Sequence, residues 1–246
     1  MAQVIEKTET GSTNDDAKEL AIQGAPHFTV VWAHKQTSGR GTRERQWMSP
    51  EGNVSWSIIL RPSHDWPNFT DIVYVNALAV HRTISNAIGS SCHLQLKWPN
   101  DILLNGKKIS GSLLESGGNW SSGLPEWVVI GTGINVKHHP DTIDMHYPPT
   151  SLFHEGFRTV QRDTLIANLH LNLEIFINIW ISESFSKITS IYLQHAYNLN
   201  KNIRVGVSHN REEYREGIYR GVNEAGHLIL EREDGTLDFL SSAEIR

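Results

Sequence analysis

The run "ILL–NG–KKISGSLLES", residues 102–116, restricts the fold more than any other stretch. Two apolar, β-prone segments flank Asn105-Gly106. Asn-Gly is the favoured pair for a type I′ turn, because both residues tolerate positive φ. The segment therefore reads as an antiparallel hairpin, and the sheet that contains it cannot be purely parallel. "HFTVVWAHKQ", "NVSWSIILRP", "HLQLKW" and "EWVVIGTGINV" read as further strands. Pro62 ends the second of them, and Pro99 keeps Trp98 extended. Helical spacing appears in "GSTNDDAKELAIQG", where Thr13 and Asp16 have the form of a capping box and Gly24 that of a stop. It recurs over 70–88, with Ile72, Val75, Leu78, Ala79 and Ile88, and over most of 163–197. Residues 137–150, with their prolines and histidines, read as a loop. The expected fold class is α/β (α+β) with a mixed sheet.

The pattern changes near residue 200. "NIRVGV", "EEYREGIYRGV", "HLILERED" and "TLDFLSSAEI" are short strands separated by "NEAG" and "EDGT" turns. They suggest a small all-β barrel, dividing the chain into 1–198 and 199–246. A length of 246 residues suits one large domain with such an appendix.

Composition removes several classes of function. The net charge of −5 argues against general nucleic-acid binding, which depends on many phosphate contacts. Cys92 is the single cysteine, so no internal disulfide forms, as suits a reducing cytoplasm. No apolar run approaches the ~20 residues of a membrane helix, and "MAQVIEKTET" has no signal-peptide core. The 13 histidines show no HExxH spacing and there is no cysteine pair, so they do not announce a zinc site.

Four segments carry chemistry. Ser12-Thr13-Asn14 opens a helix, where free N–H groups and hydroxyls suit either a plain cap or a polar heterocycle. "SGRGTRERQW", residues 38–47, places Arg40, Arg43 and Arg45 on a glycine-rich segment flanked by Gln36 and Trp47. Such arginines bind phosphate or carboxylate oxygens. The segment has neither the GxxxxGK[ST] of a phosphate loop nor the GxGxxG of a dinucleotide fold. "KWPND", 97–101, clusters Lys97, Asn100 and Asp101 at a strand end. Strict alternation in the next strand places Lys108, Ser110, Ser112 and Leu114 on one face, with Gly111 permitting close approach. "GTGIN", 131–135, ends a buried strand and offers an Asn135 oxygen to a metal-bound phosphate.

Taken in order, STN, Q-x-x-GRG-x-R-x-R-x-W-x-SP, KWPND, a hairpin lysine with glycine three residues on, and G-x-GIN resemble the biotin protein ligases. The motifs span 12–135, and the helices and small barrel extend the likeness to nearly the whole chain. The resemblance implies the biotin/lipoate ligase fold and a two-step reaction. Biotin and MgATP give biotinyl-AMP and pyrophosphate; the biotinyl group then passes to a lysine of a biotin carboxyl carrier domain. It implies biotin contacts from Ser12, Thr13, Asn14, Gln36, Arg40, Gly41, Thr42, Lys108 and Gly111. It implies nucleotide contacts from Arg43, Arg45, Lys97, Trp98, Asn100 and Asn135, and magnesium near Asp101 and Asn135. Lys108, Arg40 and Asp101 would be catalytic, Asp101 by orienting or deprotonating the acceptor lysine or, alternatively, by serving the metal or adenine. By position alone, the loop 137–150 is expected over adenine, with Tyr147 stacking on it. No nucleic acid or membrane partner is implied, and a homodimer is left open.

Three departures stand out. Thr42 replaces a loop arginine common in the family. Ser110 and Ser112 predict a more polar pocket wall. Only about ten residues precede Ser12, too few for the DNA-binding domain of some members. The rival readings are a lipoate ligase or octanoyltransferase, and a non-catalytic biotin-binding protein.

Overall fold

The computed structural model describes residues 3–42, 45–89, 92–120, 123–141, 147–207, 213–241 and 243–245. In chain order the elements are β1 (Val4–Thr10), α1 (Thr13–Ile22), β2 (Thr29–Gln36), β3 (Val54–Leu60), α2 (Ile72–Ile88), β4 (Leu94–Lys97), β5 (Asp101–Leu104), β6 (Lys107–Gly117) and β7 (Trp127–Ile134). They continue with α3 (Arg162–Glu183), α4 (Phe185–Gln194), β8 (Asn202–Gly206), β9 (Tyr214–Val222), β10 (Leu228–Glu231), β11 (Leu237–Leu240) and β12 (Glu244–Ile245). Strands β1 to β7 make one mixed sheet in the order β1-β2-β3-β7-β6-β5-β4. Only β1 and β2 pair in parallel. The β5–β6 hairpin turns at Asn105 and Gly106 with φ of 52° and 77°, as Asn-Gly requires.

β1 is an edge strand that the sequence reading did not include. "VIEKTET" alternates weakly and leaves most of its side chains exposed, so it shows little hydrophobic period. β3 is the opposite case: every residue of "VSWSIIL" is buried because both faces of the sheet are covered. On one face Val31, Ile59, Trp127 and Val129 meet Ala17 and Ala21 of α1. On the other, Val30, Trp56, Ile58 and Ile130 join the large core under α2 and α3. α3 is long and apolar enough to cross a membrane by composition. Its Leu165, Leu169, Leu173, Phe176 and Trp180 are nevertheless buried, and Asn172 bonds Thr83 of α2 at 2.9 Å.

The start of α1 differs in detail from the expected capping box. Ser12 is the N-cap, accepting from the Asp15 N–H at 3.4 Å. Thr13 is already helical, and Asp16 binds Thr10 and Lys7 instead. Ser12 caps because its backbone is extended (φ −155°), the geometry a cap needs. Gly24 follows the helix end with φ +87°, as a stop glycine does.

Strands β8 to β12 form a second, all-antiparallel sheet in the order β11-β10-β9-β8-β12. Ile203, Val205, Tyr219, Leu228 and Leu230 of this sheet belong to the same buried cluster as α2 and α4. Tyr74 of α2 donates to the Gly226 carbonyl at 2.6 Å.

Asp71, immediately before α2, is 3% exposed. Burial pushes its carboxyl up to about 7, opposed by the Trp180 indole N–H at 3.2 Å. The folded state thus holds this proton more tightly than the unfolded chain, whose aspartate titrates near ~3.9. Stability from this group is complete below ~4 and is lost as pH rises toward 7. Asp71→Asn keeps an acceptor for Trp180 and cannot ionise. Urea unfolding at pH 8 should find it more stable than wild type by about 1–3 kcal/mol, with little gain at pH 4. The same stability difference at pH 4 and pH 8 would show that the folded carboxyl ionises as readily as that of the unfolded chain.

Candidate active site

A pocket opens on the α1 face of the large sheet, enclosing about 490 Å³ of empty space, part of it open to solvent. Its inner end is a hydrogen-bonded chain. Gln36 Oε1 accepts from the Thr13 N–H at 2.8 Å and the Thr13 hydroxyl at 3.0 Å, and Gln36 Nε2 donates to Ser49 at 3.0 Å. The Thr13 and Ser57 hydroxyls are 2.8 Å apart. Ser57 donates to Asn14 Oδ1 at 3.3 Å, and Asn14 Nδ2 donates to Glu115. Ser12, Thr13 and Asn14 are all buried.

The floor is glycine. A Cβ on Gly131 would stand 2.5 Å from Asn14 Oδ1. One on Gly133 would overlap the Trp47 indole, and one on Gly111 would lie 3.2 Å from both Asp101 Oδ1 and Lys108 Nζ. Side chains are absent here because the neighbouring groups and the pocket occupy their space. The arginine segment folds across this floor. Trp47 N–H donates to the Gly39 carbonyl at 2.8 Å, and Gly41 N–H to the Arg45 carbonyl at 2.7 Å. Arg40 binds Asp15 at 2.6 Å and Glu115 at 2.7 Å. Burial works against the Arg40 charge, but Glu115 and Asp15 outweigh it and raise its pKa. Burial likewise opposes ionisation of Glu115, yet Lys18, Arg40 and Asn14 hold its carboxyl below the ordinary range.

Lys108 reaches the pocket by a route that alternation does not give. Ile102 faces Ser110, but the next residue, Leu103, faces Lys108, so Ile109 is an extra residue and β6 bulges there. The bulge reverses the phase of the strand. Lys108 therefore shares a face with Asp101 and Gly111, not with Ser110, Ser112 and Leu114. The Ser110 hydroxyl donates to the Gly133 carbonyl at 2.7 Å, and that of Ser112 accepts from Asn76 of α2 at 2.8 Å. Of the two, Ser112 lines the pocket, its hydroxyl already bonded to Asn76, while Ser110 stands off the wall.

Lys108 Nζ lies 2.6 Å from Asp101, and Lys97 Nζ 3.6 Å from the same carboxylate. Burial alone would raise the Asp101 carboxyl; Lys108 and then Lys97 overcome it and hold the pKa below the usual value. Lys97 is 6% exposed. Burial lowers its pKa, Lys108 adds to the fall, and Asp101 and Glu244 oppose it. Tyr147 packs under the Lys97 ammonium, 4.2 Å from ring centre to Nζ.

The structure gathers Ser12, Thr13, Asn14, Gln36, Arg40, Gly41, Thr42, Asn100, Asp101, Lys108 and Gly111 on the pocket wall. Four other residues singled out in the sequence stand off it. Lys97 touches the wall through Asp101. Arg45 is held by Glu244 of β12 at 2.6 Å. Trp98 is buried in the main core and donates to the Tyr74 hydroxyl at 2.6 Å, so its ring packs inward and is not free to stack on a ligand. Asn135 donates to the Thr150 carbonyl at 3.0 Å, while its own side-chain oxygen is buried without a partner. Arg43 lies outside the described residues, as do 142–146 of the loop expected over adenine. Sequence reasoning missed Ser57, Leu113, Thr132 and Glu115. Ser55 and Ser57, hydroxyls at alternate positions of an otherwise apolar strand, were a usable signal for the first.

The description "Biotin/lipoate A/B protein ligase family" matches residues 1–135. The chain belongs to this family. Within it, the chain is 34% identical over 227 residues to the bifunctional ligase/repressor BirA of Bacillus subtilis, covering 91% of this chain and 68% of that protein. It is 33% identical to the biotin–[acetyl-CoA-carboxylase] ligase of Paracoccus denitrificans, over 90% of this chain and 91% of the other. Among solved structures, the biotin protein ligase from Aquifex aeolicus in complex with biotin and ATP superposes with a TM-score of 0.83. It is 23% identical, and the match covers 100% of this chain and 99% of that one, so the family fold extends through the second sheet.

Proposed function

We propose that this chain is a biotin–protein ligase. It joins biotin to ATP as biotinyl-AMP with release of pyrophosphate, and then transfers the biotinyl group to a lysine of a biotin carboxyl carrier domain, forming a carbon–nitrogen bond. The observation that carries the reading is that Arg40 and Lys108 border one pocket whose inner end is the Ser12–Asn14 turn. The first step brings a carboxylate to a polyphosphate, and the two anions repel. Cations placed where charge accumulates lower that barrier. Lys108 is the group between the biotin carboxylate and the α-phosphate; Arg40 lines the same pocket but is held by Asp15 and Glu115 beside Asn14, and would reach that junction only by releasing them. Asp101, gripped by two lysines, stays ionised and is a weak base; its role is to orient Lys108 and the incoming acceptor amine. Lys97 and Asn100 serve the nucleotide side, with Gly41 and Thr42 in the covering loop.

Magnesium accompanies the ATP and screens its phosphates. The orphaned oxygen of buried Asn135 is of the kind that ligates magnesium, but Asn135 stands off the pocket wall. Asp101 fits less well, because both of its oxygens are already taken by ammonium groups. The carrier domain is that of a biotin-dependent carboxylase such as acetyl-CoA carboxylase, and the cytoplasm is where both partners would meet.

The pocket's polar inner end favours a ureido ring over the methylene chain of lipoate or octanoate. A storage protein would have no use for cations at the phosphate. Purified protein with MgATP should release pyrophosphate with biotin, and about 100-fold less with lipoate or octanoate, given the cost of leaving this polar end unpaired. Equal or greater release with octanoate would move the assignment to the lipoate branch. No release with any acid would leave a binding protein.

A further inference from the structure

Glu115 is absent from every motif that identifies the chain, yet it collects three side chains of the site. Its Oε2 accepts from Asn14 Nδ2 and from Arg40, and its Oε1 accepts from Lys18 at 2.8 Å. A carboxylate only accepts. At the other end of the polar chain the Thr13 backbone N–H only donates, and it points at Gln36 Oε1. Between these two fixed ends the amide orientations are determined. Gln36 must turn its NH₂ to Ser49, and Asn14 must spend its NH₂ on Glu115. Asn14 is left with its oxygen toward Ser57 and the Gly131 floor.

Resting on the biotin reading above, we propose that Glu115 is a positioning residue for ligand recognition. It locks the Asn14 amide so that the pocket offers a hydrogen-bond acceptor, matched to the N–H groups of a cyclic urea. The lock acts through Asn14; the Arg40 contact is separate, because Arg40 has a second carboxylate partner in Asp15. Replacing Glu115 by leucine removes the acceptor and keeps most of the volume, whereas glutamine would still turn its carbonyl to Asn14 and Arg40. Without that acceptor Asn14 is released to turn its NH₂ to the ligand N–H groups, donor against donor.

The test is a double-mutant cycle on steady-state pyrophosphate release, with biotin and ATP varied separately. Glu115→Leu should raise the biotin KM about 10-fold and leave the ATP KM within about twofold. In an Asn14→Ala background the same change should have almost no further effect on the biotin KM, since the group it acts through is gone. Asp15→Asn, which loosens Arg40 without touching Asn14, should not reproduce the rise. An unchanged biotin KM in Glu115→Leu overturns the proposal. So does an equal rise in the Asn14→Ala background, or a rise of the same size in Asp15→Asn. If the wild type shows no biotin-dependent release at all, the ligase reading itself falls, and this proposal with it.

Discussion

Lys108→Ala is expected to lower biotin-dependent pyrophosphate release by about 1000-fold, the scale set by removing one preorganised charge from a reacting centre. Biotin affinity, measured by calorimetry, should change by less than about fivefold. The ammonium sits at the Gly111 end of the floor, 2.6 Å from Asp101 and over the Trp47 ring at 5.6 Å. On the proposed reading the ureido end is bound elsewhere, by the Thr13–Gln36–Asn14 chain. Losing Lys108 therefore removes charge from the carboxylate–phosphate junction and leaves the ring contacts intact. Such a loss appears in kcat and kcat/KM together. Equal losses in rate and biotin affinity would reduce Lys108 to a ground-state ligand.

The second large effect concerns stability. Asp101→Asn leaves two ammonium groups facing one another, and Lys97 is nearly inaccessible to water. Removing one partner of a buried ion pair costs about 3–5 kcal/mol, and urea unfolding at pH 7 should show a loss of about 3 kcal/mol. The deficit should shrink as pH rises. Lys97 already has its pKa lowered in the folded protein, by burial first and Lys108 second. A lysine in the unfolded chain titrates near ~10.4. Between the folded and unfolded values the unfolded chain holds more protons, so stability rises with pH. The missing Asp101 deepens that difference in the variant. The wild-type carboxylate acts at the other end of the scale: its pKa is depressed, so its contribution is full above ~4 and is lost as pH falls through the folded value. A variant with the same deficit at pH 7 and pH 9.5 would mean that Lys97 keeps its proton by recruiting solvent.

Local chemistry made much of this fold legible. Asn105-Gly106 announced its turn because few other pairs adopt those φ values. β3 and α2 were readable from long apolar composition. β1 was not, because an edge strand needs backbone partners more than it needs buried side chains. The site was legible wherever a residue type had one chemical use, as with Arg40, Lys108 and the Ser12–Asn14 turn. It was illegible where geometry decided. The phase of β6 depends on one inserted residue, Ile109, and counting by twos puts Lys108 on the wrong face. Trp98 was read with its charged neighbours because it stands among them in sequence, yet the turn after β4 sends its ring into the core. Glu115 belongs to none of the motifs; its contacts come from three groups distant in the chain.

The bare floor under the ligand carries a lesson for redesign. Gly111, Gly131 and Gly133 already have the smallest side group available, so no trimming at these positions can deepen the cleft to admit a bulkier acid. Room for an enlarged vitamin analogue has to be cut from above or from the side, where Trp47 and Leu113 still have atoms to give up.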